Sequence, residues 1–116
     1  MQRMTGGQAL VASLYREGVR VVFGLPGVQL YGAVAALRDE PRIRVITTRH
    51  EQATTYMADG YARAGGGIGV ALVVPGPGLL NASAGLSTAY SAYTTRLHQA
   101  RAYLGAEAAH RATAAA

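Results

Sequence analysis

Gly69-Val70-Ala71-Leu72-Val73-Val74, followed directly by Pro75-Gly76-Pro77-Gly78, is the stretch that decides the fold. A continuous apolar run bounded by glycine and proline predicts a buried β-strand that ends in a sharp loop. Because the run does not alternate between apolar and polar positions, we expect both of its faces to be covered, as in a parallel sheet. The stretch therefore predicts a strand inside a layered α/β domain.

Two shorter apolar runs upstream, Val19 to Gly24 and Ile43 to Thr47, also predict strands. Helical patterns flank and separate the three runs, and the first of them begins with a capping box formed by Thr5 and Gln8. The predicted order is α-β-α-β-α-β-α, which indicates an α/β fold of three αβα layers around a short parallel sheet. Ligands of such sheets bind beyond the carboxyl ends of the strands.

Helical spacing also predicts which faces of the last two helices pack inward. For the helix after the second strand, the expected inward face is Ala53, Met57, Gly60, Tyr61 and Ala64. For the helix after the third strand, the expected packing positions are Leu80, Ala84, Leu86, Ala89 and Tyr90, and the small residues Ala82, Ser83 and Gly85 permit a close approach.

Composition limits the class of protein. At 116 residues with a formal charge of +5, the chain has the size of one domain. Its bases are all arginine and are scattered singly, which does not predict nucleic-acid binding. It has no cysteine, no apolar run long enough to span a membrane and no signal-peptide pattern, so we expect a cytoplasmic protein without membrane association.

Three loops are expected to meet at the carboxyl ends of the strands: Gly24 to Gly27, Arg49 to Glu51, and Gly76 to Asn81. Taken singly, each has an ordinary explanation. Glycine and proline after a strand usually form a tight turn, and a glutamate in the first turn of a helix interacts favourably with the helix dipole. His50 has no second ligand at metal spacing, so no metal site is predicted in this chain.

Taken together and in this order, the loops carry a specific pattern. The pattern consists of Phe23-Gly24-Leu25-Pro26-Gly27, then Arg49-His50-Glu51 leading into Ala58-Asp59-Gly60-Tyr61-Ala62-Arg63, then Gly76-Pro77-Gly78-Leu79-Leu80-Asn81 with Gly85-Leu86. It resembles the amino-terminal, pyrimidine-binding domain of thiamine diphosphate-dependent enzymes, most closely the acetolactate synthase and 2-oxo acid decarboxylase group. The resemblance covers about Thr5 to Ser91.

The resemblance implies a role for each loop. Glu51 would be the catalytic carboxyl group, which hydrogen-bonds a ring nitrogen of the cofactor's aminopyrimidine and favours its imino tautomer. A partly desolvated site would favour a proton shared between Glu51 and the ring. The remaining implied cofactor-binding residues are Pro26, Gly27, Gly76, Pro77, Gly78 and Asn81.

Two departures from the family pattern limit what the resemblance implies. Val74-Pro75 stands where the family often has serine, threonine or histidine, so no polar group is expected to handle substrate there. The family pattern also stops after Ser91, and the central domain and the diphosphate-binding domain, which would hold Mg²⁺ and the phosphates of the cofactor, have no counterpart in the sequence.

We therefore interpret residues 1–91 as a truncated pyrimidine-binding domain and residues 92–116 as an alanine- and arginine-rich tail. The expected function is thiamine diphosphate binding within an acetolactate synthase-like enzyme that processes 2-oxo acids, without catalysis by this chain alone. The expected partner is a diphosphate-binding domain or subunit in a homo- or hetero-oligomer. Two alternatives stay open: one subunit of a split thiamine diphosphate-dependent decarboxylase, and a non-catalytic interaction module.

Overall fold

A computed structural model describes residues 3–91 of the chain, and the predicted alternation of helices and strands is confirmed there. The expectations for the segment after Ser91, including its lack of a further strand, lie outside the described residues. The elements are α1 (Gly6–Arg16), β1 (Val21–Gly24), α2 (Tyr31–Arg38), β2 (Arg44–Thr47), α3 (Glu51–Arg63), β3 (Val70–Leu72) and α4 (Pro77–Ser91), with a 3₁₀ turn (Val28–Leu30) before α2.

The three strands form one parallel sheet in the order β2-β1-β3. The register pairs Phe23 with Ile46 on one side and with Ala71 on the other. The chain moves outward from β1 to β2 and then crosses back over β1 to reach β3. The direction of winding therefore changes between β1 and β3, and in open α/β sheets the ligand crevice lies at such a point.

Two separate hydrophobic clusters cover the two faces of the sheet, which confirms the predicted αβα layers. One cluster joins α1 and α2 to the sheet and contains Val11, Leu14, Val22, Leu37, Val70 and Leu72. The other joins α3 and α4 to the opposite face and contains Phe23, Ala58, Ala71, Val73 and Ala82. Successive residues of β3 enter opposite clusters, so this strand is covered on both faces as predicted.

The ends of the elements follow from local chemistry. The backbone N–H of Gln8 donates to the Thr5 hydroxyl at 3.2 Å and the Gln8 side chain accepts the Thr5 N–H at 2.9 Å, which confirms the capping box. The strands are one to three residues shorter than predicted because the residues at their ends are not paired with a neighbouring strand. Helix α4 begins at Pro77, since proline is well suited to a first helical position.

The predicted inward faces of α3 and α4 are wrong in part. The buried residues of α3 are Thr54, Thr55, Ala58 and Ala62, whereas Met57 is 39% exposed. The buried residues of α4 are Gly78, Ala82 and Gly85, and Leu80 and Tyr90 are 73% and 70% exposed.

Close contact between α3 and α4 explains why the buried residues differ from the predicted ones. The Thr55 hydroxyl donates to the Ala82 carbonyl at 2.9 Å in a buried hydrogen bond. A Cβ atom at Gly85 would clash with the Thr55 hydroxyl and lie 2.8 Å from its Cβ. Only small side chains fit between backbones this close, so Leu80 and Tyr90 lie on the exposed side of α4.

We expect Gly85→Ala to destabilise the chain by about 2 kcal/mol, because the added methyl group overpacks this contact. The matched control is Gly60→Ala on α3, where a Cβ atom has no neighbour within 4 Å. That control should stabilise the chain by about 0.5 kcal/mol through helix propensity. Denaturant unfolding measures both changes, and equal effects of the two substitutions would contradict the close-contact explanation.

Candidate functional site

The crevice lies beyond the carboxyl ends of β1 and β3. Backbone hydrogen bonds extend the sheet toward it past the last paired residues. The Leu25 N–H donates to the Leu72 carbonyl at 3.1 Å, and the Thr48 N–H donates to the Gly24 carbonyl at 3.0 Å. These two bonds hold the loops after β1 and β2 to the sheet edge. The loops therefore leave the sheet at fixed positions from which their side chains face one region.

Glu51 is the first residue of α3 and lies half-buried where the loop after β2 turns into the helix. The Asn81 side-chain amide, on the first turns of α4, donates to Glu51 Oε2 at 3.1 Å. The other carboxylate oxygen, Oε1, lies 3.6 Å from the position that a Cβ atom would take at Gly78. The structure thus brings three predicted site residues together: Glu51, Gly78 and Asn81.

Hydrogen bonds to the carboxylate lower the pKa of Glu51 below its ordinary value. The largest cause is the bond from its own backbone N–H, followed by the bond from Asn81; burial acts in the opposite direction but more weakly. A donor to a carboxylate favours the charged form. Within this chain these hydrogen bonds therefore favour the charged form of Glu51.

Val74 lies between the loop after β1 and the start of α4. A Cβ atom at Gly27 would clash with Val74 Cγ1, and a Cβ atom at Gly78 would lie 2.6 Å from Val74 Cγ2. The two methyl groups of one side chain thus contact both glycine positions. Val74 sets the distance between the loops, and both loops need glycine because that distance is short.

The other predicted site residues are placed less centrally. Gly76 has a φ of 72°, a conformation that favours glycine, and its carbonyl accepts the Leu80 N–H at 3.0 Å. Pro77 is the exposed first residue of α4. Pro26 is exposed and lines an apolar cavity of about 150 Å³ between α2 and the sheet. These residues shape the loops, but no measured contact joins them to Glu51.

Sequence reasoning missed two residues of this site. For Val74 the sequence indicates only the lack of a polar group, and no local signal predicts that its methyl groups contact both Gly27 and Gly78. His50 was considered only as a metal ligand, whereas its Nδ1 atom accepts the Gln52 N–H at 3.1 Å and caps α3. An extended residue with a side-chain acceptor before a helix is the signal for such a cap.

Within residues 3–91, no group of three histidine, aspartate or glutamate side chains is placed to hold a metal ion. In the same part of the chain, none of the helices has both the length and the apolar character needed to cross a membrane.

The fold and the crevice define a class of α/β domain that has a carboxylate beyond the carboxyl ends of its parallel strands. Comparison with known families makes the class specific, because residues 4–98 match the model of the thiamine pyrophosphate enzyme, N-terminal TPP binding domain. The chain belongs to this family. Thiamine pyrophosphate and thiamine diphosphate are two names for the same cofactor, and its use is implied by membership.

Several curated proteins are similar to the chain. It is 46% identical over 90 residues to the acetolactate synthase isozyme 3 large subunit of Escherichia coli strain K12 and 44% identical over 90 residues to the acetolactate synthase large subunit of Buchnera aphidicola subsp. Schizaphis graminum. Each alignment covers 78% of this chain and 16% of the relative. A probable 2-ketoarginine decarboxylase, AruI, of Pseudomonas aeruginosa is 46% identical over 88 residues, which cover 76% of this chain and 16% of that protein.

The residues present fit the aminopyrimidine part of thiamine diphosphate. Glu51 offers a carboxylate whose acceptor capacity exceeds the bonds it makes in this chain. Gly78 has no side chain to shield Oε1, and Val74 supplies an apolar surface next to it. A carboxylate beside glycine backbone and a methyl surface can accept a hydrogen bond from the edge of a flat heterocycle.

We expect Asn81→Ala to raise the pKa of Glu51 toward its ordinary value, because the substitution removes a donor to the carboxylate. This bond makes its full contribution to the stability of the fold at pH values above the ordinary glutamate pKa. The contribution is lost as the pH falls through the lower pKa of folded Glu51. Titration of the Glu51 carboxyl carbon by NMR measures the change.

The matched control for this titration is Thr88→Ala, also on α4, whose hydroxyl donates only to the Ala84 carbonyl on its own helix. It should leave the titration of Glu51 unchanged. A Glu51 titration that Asn81→Ala does not move would show that the two side chains do not interact in solution.

Val74 and Gly78 should behave as a coupled pair. Gly78→Ala alone is expected to destabilise the chain by about 1 to 3 kcal/mol through the contact with Val74 Cγ2. Val74→Ala alone should cost about 1 kcal/mol through lost packing. In the double variant the methyl group added at position 78 occupies space vacated by Val74. The loss of stability in the double variant should therefore be at least about 1 kcal/mol smaller than the sum of the losses in the two single variants. Additive costs in a denaturant-unfolding cycle would contradict the contact.

Proposed function

We propose that this chain supplies the aminopyrimidine-binding half of a thiamine diphosphate site in an acetolactate synthase-like enzyme that processes 2-oxo acids. The observation that carries the proposal is the hydrogen bond from Asn81 to Glu51 Oε2, which holds an ionised carboxylate beside Gly78 at the crevice. Similarity to acetolactate synthase large subunits and to a probable 2-ketoarginine decarboxylase supports the reaction class.

Glu51 is the proposed catalytic residue. Its carboxylate would hydrogen-bond a ring nitrogen of the aminopyrimidine and hold a proton there. Thiamine diphosphate itself supplies the carbanion stabilisation on which 2-oxo acid chemistry depends. Of the remaining predicted residues, Asn81 would orient Glu51, and Gly27, Gly76, Pro77 and Gly78 together with Pro26 would shape the loops around the ring.

The proposed activity requires a second protein surface. We propose that Mg²⁺ and the diphosphate would be held by a diphosphate-binding domain or subunit in a homo- or hetero-oligomer, as the family resemblance implies. The chain spans 16% of the length of the acetolactate synthase large subunits that it matches. We therefore propose binding without independent catalysis, in the reducing cytoplasm that a cysteine-free composition suits.

Calorimetric titration with thiamine diphosphate and magnesium tests the proposal, first on this chain alone and then with a diphosphate-binding chain added. We expect binding to strengthen in the mixture and 2-oxo acid turnover to appear only there. Glu51→Gln, which cannot be ionised, should weaken cofactor binding at least about tenfold and lower turnover at least about 100-fold.

The control for this experiment is Glu17→Gln, because Glu17 is an exposed carboxylate at the end of α1. It should change neither binding nor turnover. Turnover that survives Glu51→Gln unchanged would reject the catalytic role of Glu51. Failure of the wild-type mixture to bind thiamine diphosphate would reject the proposed function as a whole.

A further inference from the structure

His50 is a residue of the Arg49-His50-Glu51 pattern to which neither the family match nor the proposed function gives a role. It is exposed and has extended backbone angles (φ −150°, ψ 142°), as expected of a residue immediately before a helix. Its backbone carbonyl accepts the Thr48 hydroxyl at 2.9 Å and the Ala53 N–H at 3.1 Å. Bonds from both sides of the chain therefore fix its backbone.

The side chain of His50 completes this arrangement. Its Nδ1 atom accepts the Gln52 N–H at 3.1 Å, which satisfies one of the backbone donors left free at the start of α3. An imidazole nitrogen can accept a hydrogen bond only when it carries no proton. The geometry therefore assigns the neutral tautomer with its proton on Nε2.

The cap lies next to the carboxylate of the site. Glu51 follows His50 directly, and the carboxylate of Glu51 accepts its own backbone N–H in the same first turn of α3. Loss of the cap would let this turn fray, and fraying would change the direction in which Glu51 projects toward Asn81.

We propose, on the basis of the proposed function, that His50 is a positioning residue for Glu51: its neutral Nδ1 atom caps α3 and thereby holds the Glu51 carboxylate in line with Asn81. A proton on Nδ1 would turn this atom from an acceptor into a donor, so the ring could no longer accept the Gln52 N–H and cap the helix. The positioning role thus belongs to the neutral ring.

NMR of the full chain without ligand tests this inference in three ways. At about pH 8, the ¹⁵N shifts of the His50 ring should identify Nε2 as the protonated nitrogen. In His50→Ala the Gln52 amide should exchange with solvent about fivefold faster than in the wild-type chain. At the same pH, the side-chain amide signals of Asn81 should shift in this variant, because a frayed turn weakens the bond from this amide to the Glu51 carboxylate.

Two variants separate positioning from general stability. His50→Asn keeps a capping acceptor without an imidazole and should return the Gln52 exchange rate to within about twofold of the wild-type value. Thr5→Ala removes the corresponding cap of α1, far from the site in sequence, and should leave both Gln52 exchange and the Asn81 amide signals unchanged.

The inference is overturned if the proton is found on Nδ1, if His50→Ala leaves Gln52 exchange and the Asn81 amide signals unchanged, or if Thr5→Ala alters them as strongly. Addition of thiamine diphosphate and magnesium to the wild-type chain with its diphosphate-binding partner then tests the proposed function separately. If the Glu51 signal does not respond to the cofactor, the proposed function fails, while the ligand-free comparisons still decide the role of His50.

Discussion

The contact between α3 and α4 is the constraint on which the site depends. The Thr55 hydroxyl donates to the Ala82 carbonyl, and Gly85 has no side chain at the point where the backbones meet. Thr55 lies four residues after Glu51 on α3, and Gly85 lies four residues after Asn81 on α4. Residues four apart lie on the same helix face, one turn above each other. The distance fixed at Thr55 and Gly85 therefore also determines whether Asn81 can reach Glu51.

The order of the elements could be predicted from the sequence because the strands are short apolar runs with glycine or proline nearby. The inward faces of α3 and α4 could not, because periodicity assigns the core to the larger apolar residues. In this chain the two helices approach so closely that Ala58, Ala82 and Gly85 fill the interface, and Leu80 remains 73% exposed. The small residues Ala82 and Gly85 permit a close approach, as the sequence indicates, but the separation that excludes the larger side chains is a property of the packed structure.

The candidate site was predictable to a similar degree. The three loops and the position of Glu51 follow from the family pattern and from the rule that parallel strands present their carboxyl ends to a ligand. The partners of Glu51 do not follow from either. Asn81 is 30 residues away in sequence and meets the carboxylate only because two helices pack closely, and the contact of Val74 with both Gly27 and Gly78 depends on loops that separate elements bring together.

The pKa of Glu51 would depend on both halves of the proposed site. In this chain the hydrogen bonds to the carboxylate outweigh the burial that opposes them, so its pKa is lowered. Chemistry with a shared proton needs the opposite balance, in which desolvation raises the pKa of a carboxyl group. Under the proposed function, a second surface packed over the crevice would remove water from Glu51 and so raise its pKa. Under the proposed function, this chain orients the Glu51 carboxylate, and the partner surface that covers the carboxylate raises its affinity for the proton.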